Sequence, residues 1–192
     1  MKILSYLLFA LLLSSLYIVL FILPNHVENL ALIPSKVSDG ELWRFGTYPF
    51  AHLNIEHLLK NLIGLTIITA GIISLKTRFS DFSSTYLLAG FFAVLPLWFL
   101  LQFTALGASV AIYSIFGLIA LESGKYEIKQ WHILFLLAGA IFIESLLSNV
   151  STSLLSSLSH FSGLLFGVFS FMFLKKLHKT LNRRKIHCLR KI

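Results

Sequence analysis

Apolar runs long enough to cross a bilayer follow one another along this chain with little between them, and nothing else constrains its fold as much. Six are legible in the 192 residues, at about 3–23, 54–75, 83–103, 108–121, 131–148 and 159–174. In lipid a spanning segment must satisfy its own backbone polar groups, which a helix of roughly 20 apolar residues does. The run at 108–121 is short and counts as a span because of its flanks. Only 12% of the residues are charged and the mean hydropathy is +0.84, where a soluble domain carries about 25% charged residues. The expected fold class is an all-α membrane protein, a six-transmembrane-helix bundle over 1–174 with a basic tail at 175–192. The first run follows Met1-Lys2 as a signal peptide would. Pro24-Asn25-His26 is no small-residue cleavage site, so the run is expected to stay as the first helix. The single cysteine, Cys188, excludes an internal disulfide and a cysteine-based metal site.

The basic residues are distributed unevenly. Lys2, Lys76, Arg78, Lys125 and Lys129, with eight more in 175–191, all fall on one side if there are six spans. The other side holds Lys36 and Arg44 beside Glu28, Asp39, Glu41 and Glu56, and Lys60 lies within the second run. By the positive-inside rule both termini face the cytoplasm, as in a bacterial inner-membrane protein. The net charge of +8 and the cluster Asn182-Arg183-Arg184-Lys185 then serve topology and contact with anionic lipid rather than nucleic acid.

Polar groups inside a bilayer are costly and tend to mark function. The informative ones are His57 and Asn61 in the second run, Ser109 and Tyr113 in the fourth, and His160 in the sixth. Each belongs to the outer part of its helix, so all can meet at one depth. His57, Asn61 and Gly64 share a helical face, as do Ser109, Tyr113 and Gly117, and His160, Gly163 and Gly167. Glycine on such faces lets backbones approach closely. A serine hydroxyl is a weak nucleophile until a base takes its proton, and His160 is the available base. Gly107-Ala108-Ser109 opens the fourth helix, where free N–H groups favour a developing anion. Asn61 is placed to add a side-chain N–H, a kind of donor typically worth roughly 3–4 kcal/mol.

Taken together, these residues resemble the rhomboid intramembrane serine proteases. Trp43-Arg44-x-x-Thr47 and His52-x4-His57-x3-Asn61 look like the family's first loop and second helix. Gly107-x-Ser109 with Tyr113 is similar to its serine helix, and His160-x-x-Gly163-x-x-x-Gly167 to its histidine helix. The motifs cover about residues 41–174 in family order. The resemblance implies a protease that cleaves transmembrane segments of other membrane proteins in the bilayer, needing no cofactor and no metal. It makes Ser109 the nucleophile, His160 the general base and Tyr113 the ring that stacks on His160. Asn61, His57 and the Ser109 backbone N–H form the oxyanion hole, and Trp43 and Arg44 anchor the first loop at the lipid interface. His52, Gly107, Gly163 and Gly167 are expected to be structural. Val110 and Ser114 depart from the family's smaller residues, Val110 at a place where it would narrow the cleft.

The stretch Glu41-Leu42-Trp43-Arg44, with His52-Leu53-Asn54 and His57-Leu58-Leu59, resembles the rhombosortase branch, which implies substrates with a C-terminal Gly-Gly membrane anchor. Two rival readings stand beside the enzyme. One is a non-catalytic rhomboid-like binder of membrane helices, favoured by Val110. The other is a transporter or metal site built on His52, Glu56, His57 and His160, although the spans offer only Met172 as a soft ligand. The run at 131–148, with Glu144, and the serine-rich segment 148–159 are expected to form a gate and a cap.

Overall fold

The computed structural model describes residues 2–127 and 150–189 with scattered positions between them, and in the last helix the side chains of 154–181. Among these residues the chain is helical, with one isolated antiparallel bridge between Leu32 and Ala105. Helix α1 (Lys2–Phe21) contains neither Gly nor Pro. Helix α5 (Ile55–Ser74) starts where the Asn54 side chain accepts the His57 N–H at 2.9 Å, an N-cap that satisfies one orphan donor. Four described segments are long and apolar enough to cross a bilayer: Ile3–Phe21, Ile55–Ser74, Phe79–Leu101 and Leu154–Leu181.

Between α1 and α5 the chain folds into short pieces, α2 (His26–Leu30), α3 (Pro34–Ser38), α4 (Arg44–Thr47) and a 3-10 turn at Tyr48–Phe50. Pieces this short cannot sustain themselves, and side chains tie them together. Arg44 is 2% exposed and donates to the carbonyls of Glu28 (2.8 Å) and Ala31 (2.7 Å) and to the Glu41 carboxylate (2.8 Å from Nε). Thr47 donates to the Leu30 carbonyl at 2.9 Å. Arg44 is therefore turned into the loop that it is expected to anchor. Two backbone carbonyls and a carboxylate hold it there, and a guanidinium with five donors can satisfy all three at once. Trp43 beside it is exposed.

The span expected at 83–103 is two helices, α6 (Phe79–Phe92) and α7 (Leu95–Leu101). They part at Ala93-Val94, just before Pro96, whose missing N–H cannot continue the ladder. The short fourth run is α8 (Ser109–Glu122), and it is the centre of the bundle, packed against α5, α6 and the last helix. Its length of 14 residues spans about 21 Å.

The last helix, α9, runs Val150–Leu189. It starts nine residues before the expected 159 and continues through most of the segment expected to be a separate tail. No Gly or Pro interrupts 168–189, whose Lys, Arg and Leu residues are good helix formers, so nothing stops it. The serine-rich stretch from 150 is likewise helix and not a capping loop. Within it, Ser159 donates back to the Leu155 carbonyl at 2.8 Å. Most of the run at 131–148, Glu144 included, lies outside the described residues.

The principal core joins Tyr6, Leu13 and Tyr17 of α1 to Leu65, Ile68 and Ile72 of α5, Phe82 of α6 and Ile115 of α8. The buried hydroxyls of Tyr17 and Tyr86 satisfy each other at 2.8 Å. Against α9, close approach replaces side-chain bulk. A Cβ added at Gly163 would run into the Val110 carbonyl, one at Gly167 into that of Ser114, and one at Gly117 into that of Leu164. Lipid tails are as apolar as leucine, so helices in a bilayer gain by tight contact of this kind, and small residues make it available.

Candidate active site

Three elements converge at one end of α8. The first loop supplies the support. Leu32 and Ala105 exchange both backbone hydrogen bonds, at 2.9 and 3.1 Å, and the Gly107 N–H donates to the Tyr48 carbonyl at 2.9 Å. These contacts fix the segment leading into Ser109. Gly107 itself has φ +98, a left-handed conformation that favours glycine, and a Cβ there would lie 2.7 Å from the His57 ring. Both conformation and space require glycine at this position.

Ser109 is the first residue of α8, and its Oγ lies 3.0 Å from Nε2 of His160 on α9. The Tyr113 ring, one turn further along α8, stacks on His160 with centroids 4.3 Å apart and planes 20° from parallel. The imidazole is 7% exposed and held flat, its Nε2 turned to the hydroxyl. Gly163, one turn beyond His160, lies against the Val110 carbonyl and brings α9 this close.

Asn61 and His57 stand across the opening. A cleft of about 470 Å³ is bordered by both of them together with Ser109, Tyr113 and His160. Asn61 spends one amide hydrogen on the His57 carbonyl, 2.9 Å away, which leaves its second hydrogen for another acceptor. The His57 Nδ1 accepts the Leu53 N–H at 3.4 Å, so its proton sits on Nε2, the nitrogen beside Gly107. A second cleft, of about 590 Å³, reaches Ser109 and His160 from the side of Phe103, Leu106 and Gly107. Lys60 borders both clefts and pairs with Glu56 at 2.7 Å.

His52 is fully buried behind this wall. Its Nδ1 lies 3.1 Å from the Phe50 carbonyl, His26 Nε2 meets its own carbonyl at 2.8 Å, and its ring meets those of Tyr17 and His57 edge-on. Burial, and then the neighbouring His57, lower its pKa from the ordinary 6.5 to about 4. An unfolded chain takes up this proton below about pH 6.5 while the folded one stays neutral until about pH 4. The contribution to stability is thus complete above pH 6.5 and lost as pH falls through that window, roughly 3 kcal/mol in all. Thermal midpoints in neutral detergent should fall between pH 6.5 and 4.5, and His52→Asn should flatten that dependence. Equal slopes in the two proteins would remove His52 as its source.

Val110 is 5% exposed, packs with Val94, Trp98 and Ala105 in a second core cluster, and borders the larger cleft. Ser114 is buried, donating to the Ala111 carbonyl at 2.6 Å, with Gly167 against its own carbonyl. Gly163 and Gly167 of α9 face the backbone of these two residues, while the Val110 side chain is taken up by the second cluster. The support from Tyr48 and the rim position of Lys60 were missed by sequence reasoning. A lysine inside an apolar run was the available signal for the second.

With this geometry in place, comparison with known proteins is decisive about kinship. A family model described as the rhomboid domain matches residues 39–177. The chain belongs to the rhomboid family. It is 29% identical over 158 residues to the rhomboid-type serine protease 2 of Neurospora crassa, covering 71% of this chain and 52% of that protein. The protein of the same name from Podospora anserina is 28% identical over 123 residues, covering 53% of this chain and 40% of its own length. The chain thus spans about half the length of the curated relatives it matches. Its fold is an all-α rhomboid membrane bundle, and the chain is an integral membrane protein.

Proposed function

We propose that this rhomboid protein is an intramembrane serine endopeptidase that cleaves transmembrane segments of other membrane proteins with Ser109 and His160. The observation that carries this reading is the 3.0 Å contact between Ser109 Oγ and His160 Nε2, beneath the stacked Tyr113 ring. A substrate helix buries its own carbonyls, so it must unwind locally before one can reach Ser109. Ser109 Oγ then attacks that carbonyl carbon while His160 Nε2 takes the hydroxyl proton. The negative oxygen of the tetrahedral intermediate is held by the Ser109 backbone N–H at the start of α8, the free Asn61 amide hydrogen and His57 Nε2. Collapse of the intermediate breaks the C–N bond and returns the proton to the leaving amine. Water repeats the sequence on the acyl-enzyme and frees the serine.

Within this reading, the first-loop residues Glu41-Leu42-Trp43-Arg44 support the rhombosortase branch and substrates with a C-terminal Gly-Gly anchor. The Val110 side chain on the cleft wall is compatible with substrate residues that lack side chains. The basic asymmetry of the sequence supports both termini on the cytoplasmic side, with the dyad near the opposite face. The two relatives compared are fungal, and neither points to a bacterial membrane.

A phosphonylating probe directed at serine hydrolases should label the purified protein on Ser109, as read by mass spectrometry of the peptide. His160→Ala should reduce labelling at least about a hundredfold, the low end of what positioned acid–base catalysis contributes. Unchanged labelling in that variant, or none in the wild type, would favour a rhomboid-like binder without catalysis.

A further inference from the structure

The end of the bundle away from the dyad holds another cavity. At 1.5 Å per residue, α8 carries the chain about 20 Å from Ser109 to Glu122, and α9 about 27 Å from His160 to His178. Between these far ends and the turn joining α5 to α6 lies a cavity of about 410 Å³. Lys76 and Arg78 enter it from that turn, Lys125 from the 3-10 turn at Ser123–Tyr126, and Lys175 and His178 from α9.

Two carboxylates also border it, and both are engaged. Asp81 Oδ1 lies 3.4 Å from His178 Nε2, and Glu122 pairs with Lys125. Among the described residues, Lys76, Arg78 and Lys175 then have no carboxylate partner. Lys175 instead has its ammonium 5.7 Å from the Phe171 ring centroid. Thr77, between the two turn cations, is 3% exposed and borders the same cavity, yet its hydroxyl oxygen has no hydrogen-bond partner.

We propose that this cavity binds a phosphate-bearing anion that bridges the α5–α6 turn and α9. Three cations from two elements face one recess, and an arginine fork suits two phosphate oxygens at once. The Thr77 hydroxyl can supply a further donor. The remaining wall is apolar, formed by Leu118, Leu121 and Leu174, and fits the glycerol and upper acyl carbons of a phospholipid as well as a free phosphate fits the polar half. Basic recesses between helices at a membrane face hold anionic headgroups in this way. The site shares no residue with the dyad and stands whether or not the chain is a protease.

The full chain in neutral detergent is titrated with phosphatidylglycerol, with phosphatidylcholine and with inorganic phosphate, and its thermal midpoint is followed. The midpoint should rise saturably with phosphatidylglycerol or phosphate and stay flat with phosphatidylcholine. A response to phosphatidylglycerol alone makes the ligand a lipid headgroup, and a response to phosphate makes it a soluble anion. Lys76→Gln/Arg78→Gln should raise the half-saturating concentration roughly 25-fold, about fivefold for each cation, and Lys175→Gln about fivefold. Lys176→Gln/Lys179→Gln, exposed on the same helix outside the cavity, should leave it unchanged. A flat midpoint with both anions overturns the proposal. So does an equal loss in the Lys176/Lys179 pair, which would mean diffuse attraction to a basic surface.

Discussion

Ser109→Ala and His160→Ala are each expected to lower cleavage of a transmembrane substrate by about a thousandfold or more, and the double variant to be hardly worse. The reason is that the two side chains act as one unit across a 3.0 Å contact. Without the imidazole the hydroxyl keeps its proton, and without the hydroxyl the imidazole has nothing to activate. Asn61→Ala should cost less, because the Ser109 N–H and His57 remain to meet the oxyanion. Rates measured on one substrate in one detergent decide this. Single losses that multiply in the double variant would mean that the two residues act independently, and the dyad would have to be abandoned.

The second large effect is on packing. Gly167→Ala should destabilise the bundle by roughly 3 kcal/mol or more, at the upper end of overpacking costs. Its new Cβ would overlap the Ser114 carbonyl, a backbone atom that cannot swing aside as a side-chain tip can. Gly64→Ala is the matched comparison. Its Cβ would meet only side-chain carbons of Ile112, at 3.2 Å, and a rotation of that side chain relieves the contact. Thermal unfolding in detergent should therefore show a large drop for Gly167→Ala and a small one for Gly64→Ala. Comparable drops would show that α8 and α9 separate at little cost, and close backbone approach would lose its place as the source of their association.

The polar residues of the site were legible because the solvent is lipid. In a chain so apolar, Ser109, Tyr113, His160 and Asn61 stand out against their surroundings, and helical spacing puts each on a face with a glycine. The glycines in turn foretold the tight α8–α9 contact now seen at Val110 and Ser114. The rest depended on contacts distant in sequence. Nothing in Trp43-Arg44 says that carbonyls 13 and 16 residues earlier will draw the guanidinium inward. The length of α9 was obscured because hydropathy marks where a helix leaves lipid, not where it stops being a helix. The cavity at the far end gathers residues from 76 to 178, and charge along a sequence gives their side of the membrane without their proximity.

The 51 positions that separate Ser109 from His160 along the chain also order events during synthesis. The bonds that seat the serine, Leu32 to Ala105 and Tyr48 to Gly107, can all form once the chain has been made as far as α8. At that moment the hydroxyl is in place but its base has not been translated. On the proposed mechanism a chain made only as far as α8 lacks its base and is harmless to neighbouring nascent membrane proteins. Insertion of α9 packs it against α8 and brings His160 to Ser109 in one step, so on that mechanism the base arrives only with this helix.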